Sequence, residues 1–349
     1  MAVRLKDIAR DLGVSLITVS KALRGMEDIS EETRQRVLKR VAELDYRPNM
    51  LARGLASGKT FIAGLVVPDL LHPFFAEFAK SLNGVLRRSG YGLILASSEE
   101  DPEIEQQEIR TVLARGVDAL LIASCQPTLQ GFYGVDDQRT PYILIDRDFP
   151  HLRAHFVGTD DYAAGLMATK HLLSTGKRRI AHIAGPDFSA GADRRRGYID
   201  ALRECGLPVR KQSIIDNPRV EETGEEVGYQ GMRRLLRGKA RPDAVFCYND
   251  LTAIGAIHAT LEAGVSIPGD IAFIGCGNVR YSDFLRVPLS SIDQSTGLLG
   301  EYAGKLTLDL VKNPATTPTQ IRIKPQLVIR ASSARPARSS ARPRTKAKP

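Results

Sequence analysis

Cysteine is scarce in this chain. The four present, Cys125, Cys205, Cys247 and Cys276, lie far apart with no CxxC pair. That excludes a disulfide framework and a zinc site, and predicts reduced thiols in or near a core. No apolar run reaches transmembrane length and no export signal opens the chain, so the expected compartment is the cytoplasm, with no membrane partner. The six histidines (His72, His151, His155, His171, His182 and His258) show no HExxH or comparable spacing, and no GxSxG occurs. No metal, cofactor or catalytic residue is expected, and the chain does not read as an enzyme. One decoy needs dismissal. Gly54 to Thr60 (GLASGKT) looks like a phosphate-binding loop, but it is one residue short of GxxxxGK[ST]. It also follows a helical segment and precedes a strand, the reverse of the order such a loop needs.

Charge is uneven. Across 349 residues the formal net charge is +9. Residues 1–60 carry 12 basic and 8 acidic side chains, residues 61–330 carry 31 and 32, and residues 331–349 carry 6 and none. A neutral middle with basic ends fits a globular core with nucleic-acid contacts at its extremities.

Leu5, Ile8, Ala9 and Leu12 form one apolar helical face, which Gly13 terminates. Val14 plugs the corner, Ser15 can cap a second helix, and Val19, Ala22 and Leu23 repeat the face. Lys6, Arg10, Lys21 and Arg24 occupy the polar sides. Two short helices around a glycine turn make either an ordinary helical hairpin or, with those basic residues on the polar faces, a helix-turn-helix whose second helix can enter a DNA major groove. Ser30 then caps a third helix with Glu31 and Glu32 in its first turn and Val37, Leu38, Val41 and Leu44 as its apolar residues. Arg47-Pro48-Asn49 ends it, and residues 49–57 form a segment too short for a stable isolated helix, in which Gly54 costs about 1 kcal/mol more than alanine.

Asp7-Ile8-Ala9, Gly13-Val14-Ser15 and Thr18-Val19-Ser20 resemble the DNA-binding headpiece of the lactose/galactose-repressor (LacI/GalR) family, and the resemblance continues to about Arg330. It implies a homodimeric, ligand-responsive repressor of carbohydrate-related genes that binds double-stranded, pseudo-palindromic operator DNA. A global regulator answering to a protein partner, or a core that binds no metabolite, is the alternative. An exported sugar-binding protein is excluded by the headpiece and the missing export signal.

From residue 61 apolar runs alternate with amphipathic helices. Strands are expected at 61–67, 92–96, 119–123, 142–145, 179–183, 244–247 and 271–275, with helices at 74–88, 104–115, 162–174, 194–204 and 253–263. Alternation of this kind builds parallel sheets covered by helices, and the strands are too many for one small sheet. The expected fold is therefore an all-α helix-turn-helix headpiece (1–46), a hinge segment (47–60) and an α/β two-lobed, periplasmic-binding-protein-like (type I) core (61–330). The first lobe takes 61–161 and 294–322, the second 162–293 and 323–330. Residues 331–349 have no apolar face and read as a basic disordered tail. The tail contains no leucine, so the leucine heptad that makes tetramers of some family members is missing and a dimer is expected.

The resemblance places base contacts at Leu16, Ile17 and Lys21. Leu and Ile can read a thymine methyl, and Lys a guanine edge. Either both apolar residues face out, or Leu16 packs inward and Ile17 alone is presented. Ser15, Thr18, Ser20, Ser30 and Asn49 match backbone-contacting positions, as do Arg4 and Arg34, and Leu55 matches the leucine that wedges into the minor groove. For the effector the matches are Phe74 and Phe75 after the first strand, Asp146 at a strand end, Asp160 opening a helix, Arg194, and Asn249 after another strand. Gly277 stands where many relatives carry an aspartate that holds ligand hydroxyls. Arg194 and Arg147 remain. Either both face the cleft and favour a sugar acid or phosphosugar over a neutral sugar, or Arg147 points to solvent or pairs with Asp148.

Overall fold

The computed structural model describes residues 3–23, 26, 28–46, 54, 58–128, 140–149, 151–216, 224–238 and 240–334. The chain divides into two compact units between Phe61 and Ile62. Most of the 47–60 segment, including Asn49 and Leu55, lies outside the described residues.

The first unit holds α1 (Leu5–Leu12), α2 (Leu16–Leu23) and α3 (Glu31–Glu43). Ile8, Ala9, Val19, Ala22, Val37 and Tyr46 form its small core. Arg40 on α3 pairs with Asp11 at 2.6 Å and tightens the bundle. Leu38, expected in the apolar set, is 40% exposed. It follows Val37 directly, and one residue is a turn of about 100° on a helix, enough to leave the buried stripe.

The second unit contains two six-stranded sheets. The first sheet comprises β1 (Ile62–Val67), β2 (Gly92–Ser97), β3 (Ala119–Ile122), β4 (Tyr142–Ile145), β5 (His155–Thr159) and β11 (Gln320–Ile323), in the order β11-β5-β4-β3-β1-β2 and parallel throughout. The second comprises β6 (Ile180–Ile183), β7 (Ile214–Ile215), β8 (Ala244–Cys247), β9 (Ala272–Cys276), β10 (Ser291–Asp293) and β12 (Gln326–Val328), in the order β12-β10-β9-β8-β6-β7, with only β12 antiparallel. Between strands run α4 (Pro73–Arg88), α5 (Pro102–Ala114), α6 (Asp161–Ser174), α7 (Ser189–Glu204), α8 (Gly224–Arg237), α9 (Asp250–Glu262) and α10 (Thr296–Lys312). Each sheet is buried on both faces. In β1, Leu65 and Val67 join the apolar layer under α4 and α10, while Val66 between them joins the layer on the opposite face. That is the period-2 alternation of a strand covered from both sides. The chain passes between the sheets three times, after β5, after β10 and between β11 and β12, so each lobe is built from separate stretches of sequence.

Packed structure runs past Arg330, where the tail was expected to begin. Ser332 and Ser333 are buried. The Ser332 carbonyl accepts Phe273 N–H at 2.8 Å, and its hydroxyl donates to the Phe273 carbonyl and accepts Ser290 N–H, both at 2.8 Å. A polar Ala-Ser-Ser stretch carries no periodic signal. Its place is set by hydrogen bonds that β9 has to spare.

Candidate functional sites: headpiece and cleft

The headpiece owes its shape to two caps. Gly13 takes φ +68°, the left-handed conformation that glycine adopts at no steric cost, and closes α1. Two residues on, the Ser15 hydroxyl accepts Thr18 N–H at 3.0 Å and opens α2. Val19 and Ala22 face inward, leaving Leu16 52% and Ile17 65% exposed at the start of the helix. Both are exposed, so Leu16 does not pack into the headpiece core. Lys21 is held by an ion pair to Asp28. The Thr18 hydroxyl lies 2.8 Å from that of Ser15, and Ser30 accepts Thr33 N–H at 3.3 Å as the cap of α3. Arg4 stands at the start of α1, its N–H bonded to Asp7 at 3.0 Å. Arg34 is folded back onto the Met26 carbonyl at 2.8 Å and Glu31 at 3.2 Å. Ser20 is half-buried on α2.

In the core unit, a cavity of about 350 Å³ opens between the lobes where strands end and helices begin. His72 caps α4, its Nδ1 accepting Phe74 N–H at 3.3 Å, and Pro73 follows at the first helical position. This sets Phe74 and Phe75 edge to face, 5.1 Å between ring centroids, as an apolar wall. From the other lobe, Asn249 caps α9, accepting Thr252 N–H at 2.8 Å, and its amide Nδ2 reaches His72 Nε2 at 3.2 Å across the cleft. Desolvation, with Arg147 and Arg194 adding to it, pushes the His72 ring down to about 4, so it spans the gap as a neutral group.

Each cationic side chain of the cleft has its own carboxylate. Arg194 donates Nε to Asp161 at 2.8 Å, lies 2.7 Å from it through Nη2, and gives Nη1 to the Tyr248 carbonyl at 2.9 Å while covering the Tyr248 ring. Burial works against the Arg194 charge, but Asp161 together with the other acidic groups around it outweighs burial, and the guanidinium stays protonated. Arg147 neither faces solvent nor pairs with Asp148. It grips Glu100 with two hydrogen bonds at 2.6 and 2.8 Å and lies over the Phe188 ring, 4.2 Å from its centroid. Asp148 instead pairs with Arg322.

Asp146 is different. It is buried, ends β4 with φ +61°, and among the described residues its carboxylate has neither a hydrogen-bond donor nor an ion pair. Burial raises its pKa against the field of Arg194 and Arg147. The cavity wall also includes Asp69, Glu100 and Glu225, so carboxylates outnumber guanidiniums there. Both arginines face the cavity, and each already has a carboxylate partner.

Phe74, Phe75, Asp146, Arg194 and Asn249 are brought together, and Asp160 is not among the residues lining the cavity. Its side chain turns into its own helix and accepts Ala163 N–H at 2.9 Å. The neighbouring Asp161 reaches Arg194. Choosing between adjacent aspartates needed the cap position, since the cap residue is committed to the helix's own N–H groups. Sequence reasoning also missed Tyr248, although a residue directly after a strand ahead of a helix cap is a reasonable candidate. It missed Glu100 too, for which no sequence signal exists. Gly277 has φ +129°, and a Cβ there would lie 3.7 Å from Asp250 Oδ2. An aspartate at 277 would face a carboxyl that burial already pushes up to about 6, even with Ser291 and Val279 bonded to it.

Comparison with known proteins agrees with this architecture. The family model for bacterial regulatory proteins of the lacI family matches residues 4–49, and that for the periplasmic binding protein-like domain matches residues 169–333. The transcriptional repressor PurR of Glaesserella parasuis is 32% identical over 335 residues, covering 94% of this chain and 97% of the relative. The ribose operon repressor of Haemophilus influenzae is 32% identical over 329 residues, covering 94% and 98%. Among solved structures, a transcriptional regulator CelR–cellobiose complex is similar with TM-score 0.72 at 29% identity, covering 95% of this chain and 99% of that one.

Proposed function

Because the chain belongs to the LacI family of bacterial regulatory proteins and is a DNA-binding transcriptional repressor of that family, we propose that it answers to a neutral, hydroxyl-rich small molecule held in the interlobe cleft. One observation carries the reading: Asp146 is a buried acceptor that has no donor among the described residues, beside two guanidiniums that already have carboxylates. A ligand that donates hydrogen bonds satisfies Asp146, and the Phe74–Phe75 wall takes its apolar face. An anionic ligand would meet an unpaired carboxylate instead. Sugars have this chemistry, and ribose and cellobiose in the names of two similar proteins are consistent with it. The repressor acts in the cytoplasm as a homodimer. Two headpieces then read a pseudo-palindromic operator through Leu16, Ile17 and Lys21, with Leu55 as the minor-groove wedge. Ligand in the cleft changes the angle between the lobes, and operator affinity with it, by a coupling of about 1–3 kcal/mol.

A thermal-shift panel tests the ligand class with matched sets: a hexose, its uronate and its phosphate. A ligand at about 100 times its Kd adds about 2.7 kcal/mol of apparent stability. The neutral member of a set is expected to produce the shift, and to lose it in Asp146→Asn. Stabilisation by uronates or phosphates alone would overturn the assignment.

A further inference from the structure

The strands that point their C-terminal ends at the cleft leave another surface at their N-terminal ends. β7, β6 and β8 are parallel neighbours, so the connections leading into them emerge side by side at one edge of the second lobe. Those connections carry Lys177, Arg178 and Arg179 before β6, Arg210 and Lys211 before β7, and Arg237 and Arg241 before β8. Seven cations among the described residues thus meet on a core whose overall charge is nearly balanced. Most are held by carbonyl oxygens, which position a charge without cancelling it. Arg178 Nη1 donates to the Leu173 and Lys177 carbonyls, both at 2.9 Å, Arg179 Nε to that of Arg241 at 2.9 Å, and Arg241 Nε to that of Leu236 at 3.0 Å. Lys177 Nζ caps the carbonyls of Pro268, Gly269 and Asp270 at 3.0–3.3 Å. The Asp243 carboxylate sits among them. Asp243 accepts the Arg178 and Arg179 backbone N–H groups and lies 3.8 Å from Arg179 Nη2. Among the described residues, the side chains of Arg210, Lys211 and Arg237 have no hydrogen bond or ion pair.

Between these charges lies a groove of about 240 Å³, with Arg178, Arg179 and Arg210 on its rim and Leu202, Leu207 and Leu235 in its lining. We propose that this groove is a docking site for an acidic protein segment that inserts one apolar side chain between carboxylates paired with the rim arginines. The apolar lining decides between acidic partners. A phosphate backbone would use the arginines and leave the leucines idle, and no aromatic ring lines the groove to stack a base. The chain's own 331–349 segment is excluded by like charge, having six basic residues and no acidic one. The volume suits one aliphatic or aromatic side chain, and bidentate arginine–carboxylate pairs would fix the orientation of the segment.

The test uses the full-length protein and a labelled short peptide of glutamates flanking one leucine, followed by fluorescence anisotropy. Replacing that leucine with serine is expected to weaken binding about tenfold, since the burial of one side chain is lost. Arg210→Glu, at an exposed residue with no side-chain partner among the described residues, is expected to weaken it at least about fivefold with the thermal midpoint unchanged. The double reversal Lys6→Glu and Arg10→Glu in the headpiece should leave it unaltered. Equal affinity for the serine peptide, or loss only in the headpiece variant, would overturn the proposal. So would a random-sequence DNA duplex whose affinity falls in Arg210→Glu while peptide binding does not, which would mark the surface as one for nucleic acid.

Discussion

Asn in place of Asp146 should make the unliganded protein more stable. Asp146 is 7% exposed and its carboxylate receives no hydrogen bond among the described residues, with Arg147 committed to Glu100 and Arg194 to Asp161. An ionised group in that position has lost water and gained little in return. Asn keeps the shape and removes the charge. It also keeps the backbone, because φ at 146 is +61°, a region that Asn and Asp tolerate and alanine enters only with strain. Relieving an uncompensated polar burial of this kind is worth about 1–2 kcal/mol. For a core of this size each kcal/mol moves Tm by about 2–4 °C. The gain should depend on pH. Burial raises the native pKa of Asp146 above its unfolded value, so the native protein binds the proton more tightly. Its favourable contribution is complete below the unfolded pKa and is lost as pH rises through the native one. Calorimetry of both proteins should therefore show little difference near pH 4 and a higher Tm for Asp146→Asn near pH 7.5. A lower Tm for the variant at pH 7.5, or a gap that ignores pH, would refute the reasoning and make Asp146 a structural anchor.

Truncation after Ala334 should leave the core's urea midpoint unchanged, whereas truncation after Arg330 should lower stability by several kcal/mol. The second deletes the hydrogen bonds of Ser332, worth about 1 kcal/mol each, and exposes partners in β9. His182 is fully buried and stacked on Phe246, with Nε2 unpartnered, and burial holds it at about 4. Stability therefore falls as pH drops from about 6.5 towards 4, with about 3 kcal/mol of the loss due to this ring. His182→Phe should abolish that share when unfolding is compared at pH 7 and 4.5. In gel-shift titrations on selected operator DNA, Lys21→Ala should cost about 1–3 kcal/mol and relax preference at one base pair. A full-strength, unrelaxed variant would remove Lys21 from the reading face.

Local chemistry was legible wherever it is written locally. The α1–turn–α2 unit follows from Gly13, Ser15 and the apolar stripe, and the apolar runs of β1, β2, β3, β4, β6, β8 and β9 announced themselves as strands. β5, β7, β10, β11 and β12 did not. β5 reads HFVGT with a glycine near its end, β7 is two residues long, β10 contains a buried serine, and β11 and β12 are short flanking strands. Such segments become strands only because a neighbour offers a ladder edge. In the cleft, the residue types and their places at strand and helix ends could be read, but their pairings could not. Glu100 and Arg147 are 47 residues apart and Asp161 and Arg194 are 33 apart, and the neutral ligand we propose rests on those two pairs.

The glycines of the second lobe bear on how such a chain can diverge. A Cβ at Gly165 on α6 would lie 2.0 Å from the Arg194 carbonyl oxygen on α7, and one at Gly197 on α7 would lie 2.3 Å from that of Tyr162. Across α8 and α9, Gly228 and Gly255 approach the Thr252 and Glu225 carbonyl oxygens at 1.9 and 1.8 Å in the same way. Helix backbones in such contact cannot slide or separate without a clash or a void. Asp161 and Arg194 thus ride on one stiff body, and Glu225 and Asn249 on another. Inheritance can then work on the two kinds of position separately. Substitutions at the rim can trade one small molecule for another while the bodies behind them keep their shape, whereas any side chain at the four glycines would be felt in both ligand recognition and folding at once.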